Sequence, residues 1–210
     1  MPASGITLRE AAFRRIKAGI VQGEWEGGAF LAEKKLCELL GMSKTPIRSA
    51  LDRLEEAGLV KLVANQGFVV QEISPKKIME IYQLRLSLET FAAAQLTGRM
   101  EAECLSRLDV NLALQEKAAD AEDIVAYVEL DRQFHETIVS GLANEEYSEA
   151  MARIQDKFLM AVRATFYKNK KRLLGSIREH RQIRDALAGA DPAATTELVR
   201  KHIEYVERML

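Results

Sequence analysis

Ile47, Ala50, Leu51 and Leu54 recur at the i, i+3, i+4, i+7 spacing of one helix face. Lys44, Arg48, Ser49, Asp52 and Arg53 fall on the other side, so the predicted helix buries one stripe and presents a mostly basic one. Just upstream, Leu36, Leu39 and Leu40 share a face of a shorter helix, and Gly41 stands where a left-handed residue would end it. Thr45 reads as the N-cap of the second helix and Pro46 as its first residue, where a missing N–H costs nothing. Leu59 to Val63 and Phe68 to Val70 are β-prone runs, joined by the turn-forming Asn65, Gln66 and Gly67. Two helices, a tight turn and a two-stranded hairpin make a winged helix–turn–helix. A further helix precedes them. Thr7 and Glu10 form a capping-box pattern, Leu8, Ala12, Ile16 and Ile20 repeat every fourth residue, and Gly23 closes the run.

At Ser74 and Pro75 the pattern changes, and no strand-like alternation follows. Six helices are predicted, over 75–98, 101–117, 121–140, 145–167, 171–188 and 191–210, the last opened by Asp191 and Pro192. Apolar stripes and short loops imply an antiparallel helical bundle. The predicted fold class is mainly α. A winged helix–turn–helix domain occupies 1–73, and an all-helical domain occupies 74–210.

Hydrophobic residues at 48% suffice for two cores, while aromatics at 6% and 4 prolines favour helices over a β-sandwich. The formal net charge is only −1, and acidic and basic residues nearly balance within 1–73 as well. Attraction to DNA then rests on the local cluster Lys34, Lys35, Lys44, Arg48 and Arg53, with modest, strongly salt-dependent affinity for random sequence. Cys37 and Cys104 lie on apolar helical patterns far apart, which predicts free buried thiols in a reducing compartment. No apolar leader or membrane-length run is present, so a soluble cytoplasmic protein with no membrane partner is expected.

The chain has 3 histidines, His135, His180 and His202, each in the inward phase of a different predicted helix. Asp131 lies one turn before His135 on the same face. Three imidazoles and a carboxylate would make an N3O site for a divalent metal, with zinc first and nickel or manganese also fitting. Three unrelated core histidines would give the same spacing, because the set lacks a compact ligand signature.

Family resemblance adds to both readings. The segment GEWEGGAFLAEKKLCELLGMSKTPIRSALDRLEEAGLVKLVANQGFVV resembles the winged helix–turn–helix of the GntR transcription regulators. Lys44 stands where that family usually has Arg, Ala32 where a capping Ser is usual, and Glu26-Gly27 where prolines are usual. The resemblance implies contacts to a double-stranded palindromic operator from Lys34, Lys44, Thr45, Arg48, Gln66 and Gly67, made by a homodimer. The segments LDRQFHETIVSGLANEEYSEAM, IREHRQIRDALAGAD and VRKHIEY resemble the metal-bearing parts of the FCD domain of the FadR subfamily, and IYQLRLSLETFAAAQL its first helix. That resemblance implies Asp131, His135, His180 and His202 as metal ligands and a small carboxylate as effector. It also places Arg85 near the effector, although an ion pair with Glu89 is an equal use of the same side chain. The expected function is a metabolite-responsive transcription regulator, a repressor, and not an enzyme. A metal-dependent hydrolase or lyase is the rival, with Glu136, Glu179 and Ser176 near in sequence but none placed as a general base.

Overall fold

The computed structural model describes residues 6–64, 67–168 and 170–207; for 161–168, 170–172 and 206–207 it describes the backbone alone. The chain divides into two compact units, Met1–Ile73 and Ser74–Leu210.

The first unit is built from α1 (Leu8–Gln22), β1 (Phe30–Leu31), α2 (Glu33–Leu40), α3 (Lys44–Glu56), β2 (Val60–Val63) and β3 (Gly67–Val70). Thr7 caps α1 by accepting a hydrogen bond from the Glu10 N–H at 3.2 Å. The Glu10 carboxylate does not complete the box; it takes Arg14 at 2.6 Å and Arg53 at 2.9 Å, which ties α1 to α3. Ala12, Ile16, Gly19 and Ile20 are the buried positions of α1, and Leu8 is exposed because it lies in the first, unpacked turn. Gly41 takes φ 61°, the left-handed value that lets α2 end and α3 begin three residues later. Of the three leucines of α2, Leu36 is buried and Leu39 is exposed.

The N-cap of α3 is Ser43, two residues before the expected Thr45. Lys44 and Thr45 therefore lie within the first turn, and Pro46 is its buried third residue, still among positions that need no intrahelical donor. Ile47, Ala50, Leu51 and Leu54 face the core with Leu59, Val60, Phe68 and Val70. The wing sheet has three strands in the order β1-β3-β2, not two, because β1 pairs with β3 through Phe30↔Val69 and Leu31↔Phe68. The β2–β3 pair runs from Val60↔Val70 to Val63↔Gly67. Of the expected turn between them, Asn65 and Gln66 lie outside the described residues.

The second unit contains α4 (Pro75–Leu96), α5 (Ala102–Asp120), α6 (Ile124–Ser140), α7 (Glu145–Lys168), α8 (Lys170–Leu187) and α9 (Pro192–Glu207). Ser74 caps α4 through the Lys77 N–H at 3.2 Å with Pro75 at the start, and Asp191 caps α9 through the Ala194 N–H at 3.0 Å. α6 begins three residues later than expected because Asp123 caps it, accepting from the Ala126 N–H at 2.9 Å. α4 packs along α9 and against α6 and α7, α5 against α6 and α8, and α8 against α9. That arrangement points the inward faces of α4, α5, α6, α8 and α9 at one interior. Both cysteines are free, but each is half-buried rather than buried, since neither helix turns that position fully inward.

Candidate functional site

Two constellations carry chemistry, one in each unit. In the first unit α3 offers its outer face. Lys44 and Thr45 are exposed and Arg48 is half-exposed. With Arg9, Ser49, Asp52, Arg53 and Glu56 they line one shallow groove. Arg48 is held from three sides. Its Nη1 donates to Glu33 Oε1 at 2.8 Å, its Nε pairs with Asp52 at 3.0 Å, and its guanidinium lies 4.8 Å from the Phe68 ring centroid. Lys44 Nζ also reaches Glu33, at 3.2 Å. The hydrogen bond from Arg48, then that from Lys44, hold the Glu33 carboxyl below its ordinary range against the opposing effect of burial. One carboxylate at the start of α2 thus orients both basic side chains of the recognition helix, with Phe68 of the wing beneath one of them. Lys34 is exposed on α2. Gly67 opens β3 at φ 102°, a conformation that favours glycine at that position. Glu33 and Arg9 were not singled out in the sequence, because a solvated charge pattern does not show which acid meets which base.

In the second unit Asp131 and His135 on α6, His180 on α8 and His202 on α9 are all buried, and one ligand atom from each lies within 4.8 Å of the others. His180 Nε2 is 3.2 Å from His202 Nε2, which is 3.3 Å from His135 Nε2. Asp131 is 3.5 Å from His180 Nε2 and 4.0 Å from His135 Nε2. The other ring nitrogens all face acceptors. His135 Nδ1 donates to Glu89 Oε2 at 2.5 Å, His180 Nδ1 to Gln115 Oε1 at 2.9 Å, and His202 Nδ1 to Glu179 Oε2 at 2.7 Å. A nitrogen that faces an oxygen acceptor carries the hydrogen, so each ring turns a lone pair inward. Burial first, then the nearby Arg85 charge and His202, push the His135 pKa well below its ordinary value, which disfavours a proton in the centre.

This donor set fits a divalent ion. With metal–nitrogen bonds of about 2.0–2.1 Å, the edge of a tetrahedron is about 3.3–3.4 Å. The observed nitrogen–nitrogen separations of 3.2 and 3.3 Å are near that edge. Phe134 stacks on His180 with ring centroids 4.3 Å apart and closes one side of the site.

Arg85 is 2% exposed, and of its two expected uses the ion pair with Glu89 is the one seen. Its Nε donates to Glu89 Oε1 at 2.8 Å, so Glu89 bridges Arg85 and His135. Its guanidinium lies 3.9 Å from the Phe158 centroid, while Nη2 has no hydrogen-bond partner among the described residues. Burial opposes its charge most strongly, yet Glu89, Tyr82 and Asp131 outweigh that and raise its pKa.

An FCD domain profile matches residues 80–205, and that of the gntR family of bacterial regulatory proteins matches residues 8–70. The chain belongs to the GntR family of bacterial regulators. YdhC of Bacillus subtilis (strain 168), named as an HTH-type transcriptional regulator, is 27% identical over 194 residues, covering 92% of this chain and 86% of YdhC. The gluconate operon transcriptional repressor of Bacillus licheniformis is 33% identical over 132 residues, covering 63% of this chain and 54% of that one. The fold is shared with the solved E. coli McbR/YncC, with a TM-score of 0.79, 23% identity and coverage of 96% of this chain and 95% of that chain. A GntR protein of Rhodococcus sp. RHA1 gives a TM-score of 0.85 at 23% identity, covering 95% of both chains.

This GntR protein is therefore a DNA-binding transcriptional regulator; its family and relatives are regulators and not enzymes. Of the residues named for the hydrolase or lyase reading, the two carboxylates are engaged elsewhere. Glu179 is occupied by His202, and Glu136 pairs with Arg132, which also binds Glu129. GntR regulators bind operator DNA, and the FCD domain implies a small-molecule effector. No described helix is long and apolar enough to cross a membrane. Of the residues around the four candidate ligands, the sequence pointed to Arg85 with Glu89 and named Glu179 in another role, while Gln115 was not singled out but left a trace. It is a polar residue in phase with Leu108 and Leu112 on the buried stripe of α5.

Proposed function

We propose that this GntR regulator represses transcription by binding a palindromic operator as a homodimer, and that its helical unit senses a small carboxylate at a divalent-metal site. The observation that carries the sensing half is the convergence of three imidazole Nε2 lone pairs whose opposite nitrogens are all committed outward. Asp131, His135, His180 and His202 would hold the ion, zinc in the first instance and nickel or manganese as alternatives. When bound, the ion supplies a Lewis-acidic point at which an anionic oxygen can coordinate. The protein's own residues orient that anion. Arg85 Nη2 and both amide atoms of Gln155 are buried without hydrogen-bond partners among the described residues. A guanidinium N–H left so costs about 1–3 kcal/mol, and a carboxylate ligand would relieve it.

In the first unit Lys44, Thr45 and Arg48 would enter the major groove at the start of α3, while Lys34 would meet phosphate. Gln66 and Gly67 would reach DNA from the wing. Repression is the direction adopted because relatives of two Bacillus species are named as gluconate operon repressors. A site of action on DNA in the cytoplasm goes with this reading.

The test is elemental analysis of the purified full chain, together with mass spectrometry of any small acid released on denaturation. Stoichiometric divalent metal is expected in the wild type and is expected to be lost in Asp131→Ala. Absence of metal, together with DNA affinity that no added carboxylate changes, would overturn the sensing reading and leave the DNA-binding one in place.

A further inference from the structure

The three histidines of the centre are not oriented by the same chemistry. His135 and His202 donate to carboxylates, Glu89 and Glu179, whereas His180 donates to the amide of Gln115. A carboxylate can only accept. An amide has two faces, one accepting and one donating. Were the Gln115 amide reversed, its NH2 would face Nδ1 of His180 and drive the ring hydrogen to Nε2. That is the nitrogen 3.2 Å from His202 and 3.5 Å from Asp131, and a hydrogen there would block it as a ligand.

The amide direction is set by a chain of hydrogen bonds that ends on the backbone. Gln115 Nε2 donates to Asn111 Oδ1 at 2.7 Å, and Asn111 Nδ2 donates to the Leu130 carbonyl at 3.0 Å. A backbone carbonyl has no donor face, so it fixes Asn111, which fixes Gln115, which fixes His180. Gln115 is fully buried and Asn111 nearly so, and they stand one turn apart on α5. The carbonyl anchor belongs to the residue just before Asp131. The chain therefore ties two candidate ligands on α6 and α8 through a helix that contributes none.

We propose that Asn111 and Gln115 are positioning residues of the metal centre, a polar relay anchored on the Leu130 carbonyl that holds His180 with its hydrogen on Nδ1 and its Nε2 open to the ion. The proposal rests on the reading of the centre as a metal site. It explains why two polar side chains occupy the buried stripe of α5.

The experiment uses the full chain, freed of metal, with zinc as the probe in competition with a chromophoric chelator. Gln115→Leu removes the acceptor, and Asn111→Leu removes the anchor without touching any ligand. Each is expected to weaken zinc binding by about 10–100-fold, the usual effect of losing a partner that orients a ligand. Combining Asn111→Leu with Gln115→Glu is expected to recover most of that loss, because a carboxylate has no wrong way round. Melting of the metal-free variants is followed in parallel. Lowered melting with unchanged zinc affinity would assign the pair a structural role only and overturn the proposal. Nitrogen-15 spectra of the metal-free wild type give a check that needs no variant: His180 should carry its hydrogen on Nδ1, and a hydrogen on Nε2 would also overturn it. If the wild type binds none of zinc, nickel or manganese, the metal reading itself fails. If the wild type and both single variants bind alike, the relay alone fails.

Discussion

Chelation should lower the melting temperature of the helical unit in the wild type and leave His180→Ala nearly unmoved. The four candidate ligands are between 0% and 4% exposed, so they hold the ion only when the helices are assembled. An ion bound to the native state alone adds RT ln(1 + [M]/Kd), about 2.7 kcal/mol at a hundredfold excess over Kd. For a unit of this size each kcal/mol shifts melting by about 3–4 °C, so removal of the ion should cost about 10 °C. His180→Ala starts from a lower baseline for other reasons. It loses the hydrogen bond to Gln115 and the stack on Phe134, and it opens a cavity. The absolute melting temperature of the variant therefore says little; the change on adding chelator is the measurement. Far-UV circular dichroism follows the helices. Trp25 is the only tryptophan and lies in the first unit, where Arg15 sits 5.6 Å from its ring, so its fluorescence reports separately on the DNA-binding unit. The chelator-induced shift should be present in the dichroism and absent from the Trp25 signal. If chelation leaves the wild-type dichroism transition in place and the protein carries no stoichiometric metal, the cluster is a packed histidine core and this reasoning is refuted.

Other outcomes follow from the same contacts. Arg48→Ala should weaken binding to a duplex selected from a random pool by about 1–3 kcal/mol, whereas Lys34→Ala should weaken all duplexes alike and lower the salt slope by about 1; unchanged affinity in both would remove α3 from the groove. Lys44→Arg should tighten only sites with guanine at the contacted step, since a fork replaces a point charge, and an equal gain on every sequence would mean a phosphate contact. Glu33→Gln releases both Lys44 and Arg48, so random-duplex affinity should rise while the gap between selected and random duplexes narrows; anisotropy titrations showing a widened gap would contradict the orienting role. Metal-free protein should lose stability as pH falls below about 6.5, because His135 is held neutral when folded and takes a proton when unfolded; flat denaturant midpoints between pH 7 and 5 would count against its buried, unprotonated state.

The α-helices were legible because their apolar stripes are long, and some of them begin with capping chemistry that acts locally. Ser74 with Pro75 and Asp191 with Pro192 are seen at their caps as the sequence implies. β1 was missed because two residues have no period, and its pairing partner lies far along the chain at Phe68 and Val69. Ser43 and Thr45 both suit an N-cap by residue type, and Ser43 takes the position without a side-chain cap hydrogen bond, so side-chain chemistry alone did not separate them. The four candidate ligands were visible as inward-phase residues. Their partners were not, because Glu89, Gln115 and Glu179 differ from ordinary helix residues only in what the neighbouring helix brings opposite them. Arg85 shows the same limit: the sequence offered an effector contact or an ion pair, and the structure shows the ion pair, through Nε, with Nη2 left without a hydrogen-bond partner among the described residues.

Electroneutrality gives the bridging role of Glu89 a wider meaning. Among the described residues, the buried Asp131 and Glu89 and the partly exposed Glu179 bring three carboxylates to the centre and Arg85 brings one guanidinium, a formal excess of two negative charges in that set. A monovalent cation would leave the interior negative and a trivalent one would make it positive, while a divalent cation cancels the excess. In the proposed metal site, charge balance would thus favour a divalent ion before coordination chemistry acts. An acid that then joins the neutral centre adds negative charge unless it arrives with a proton, so uptake of the acid and of a proton should be coupled.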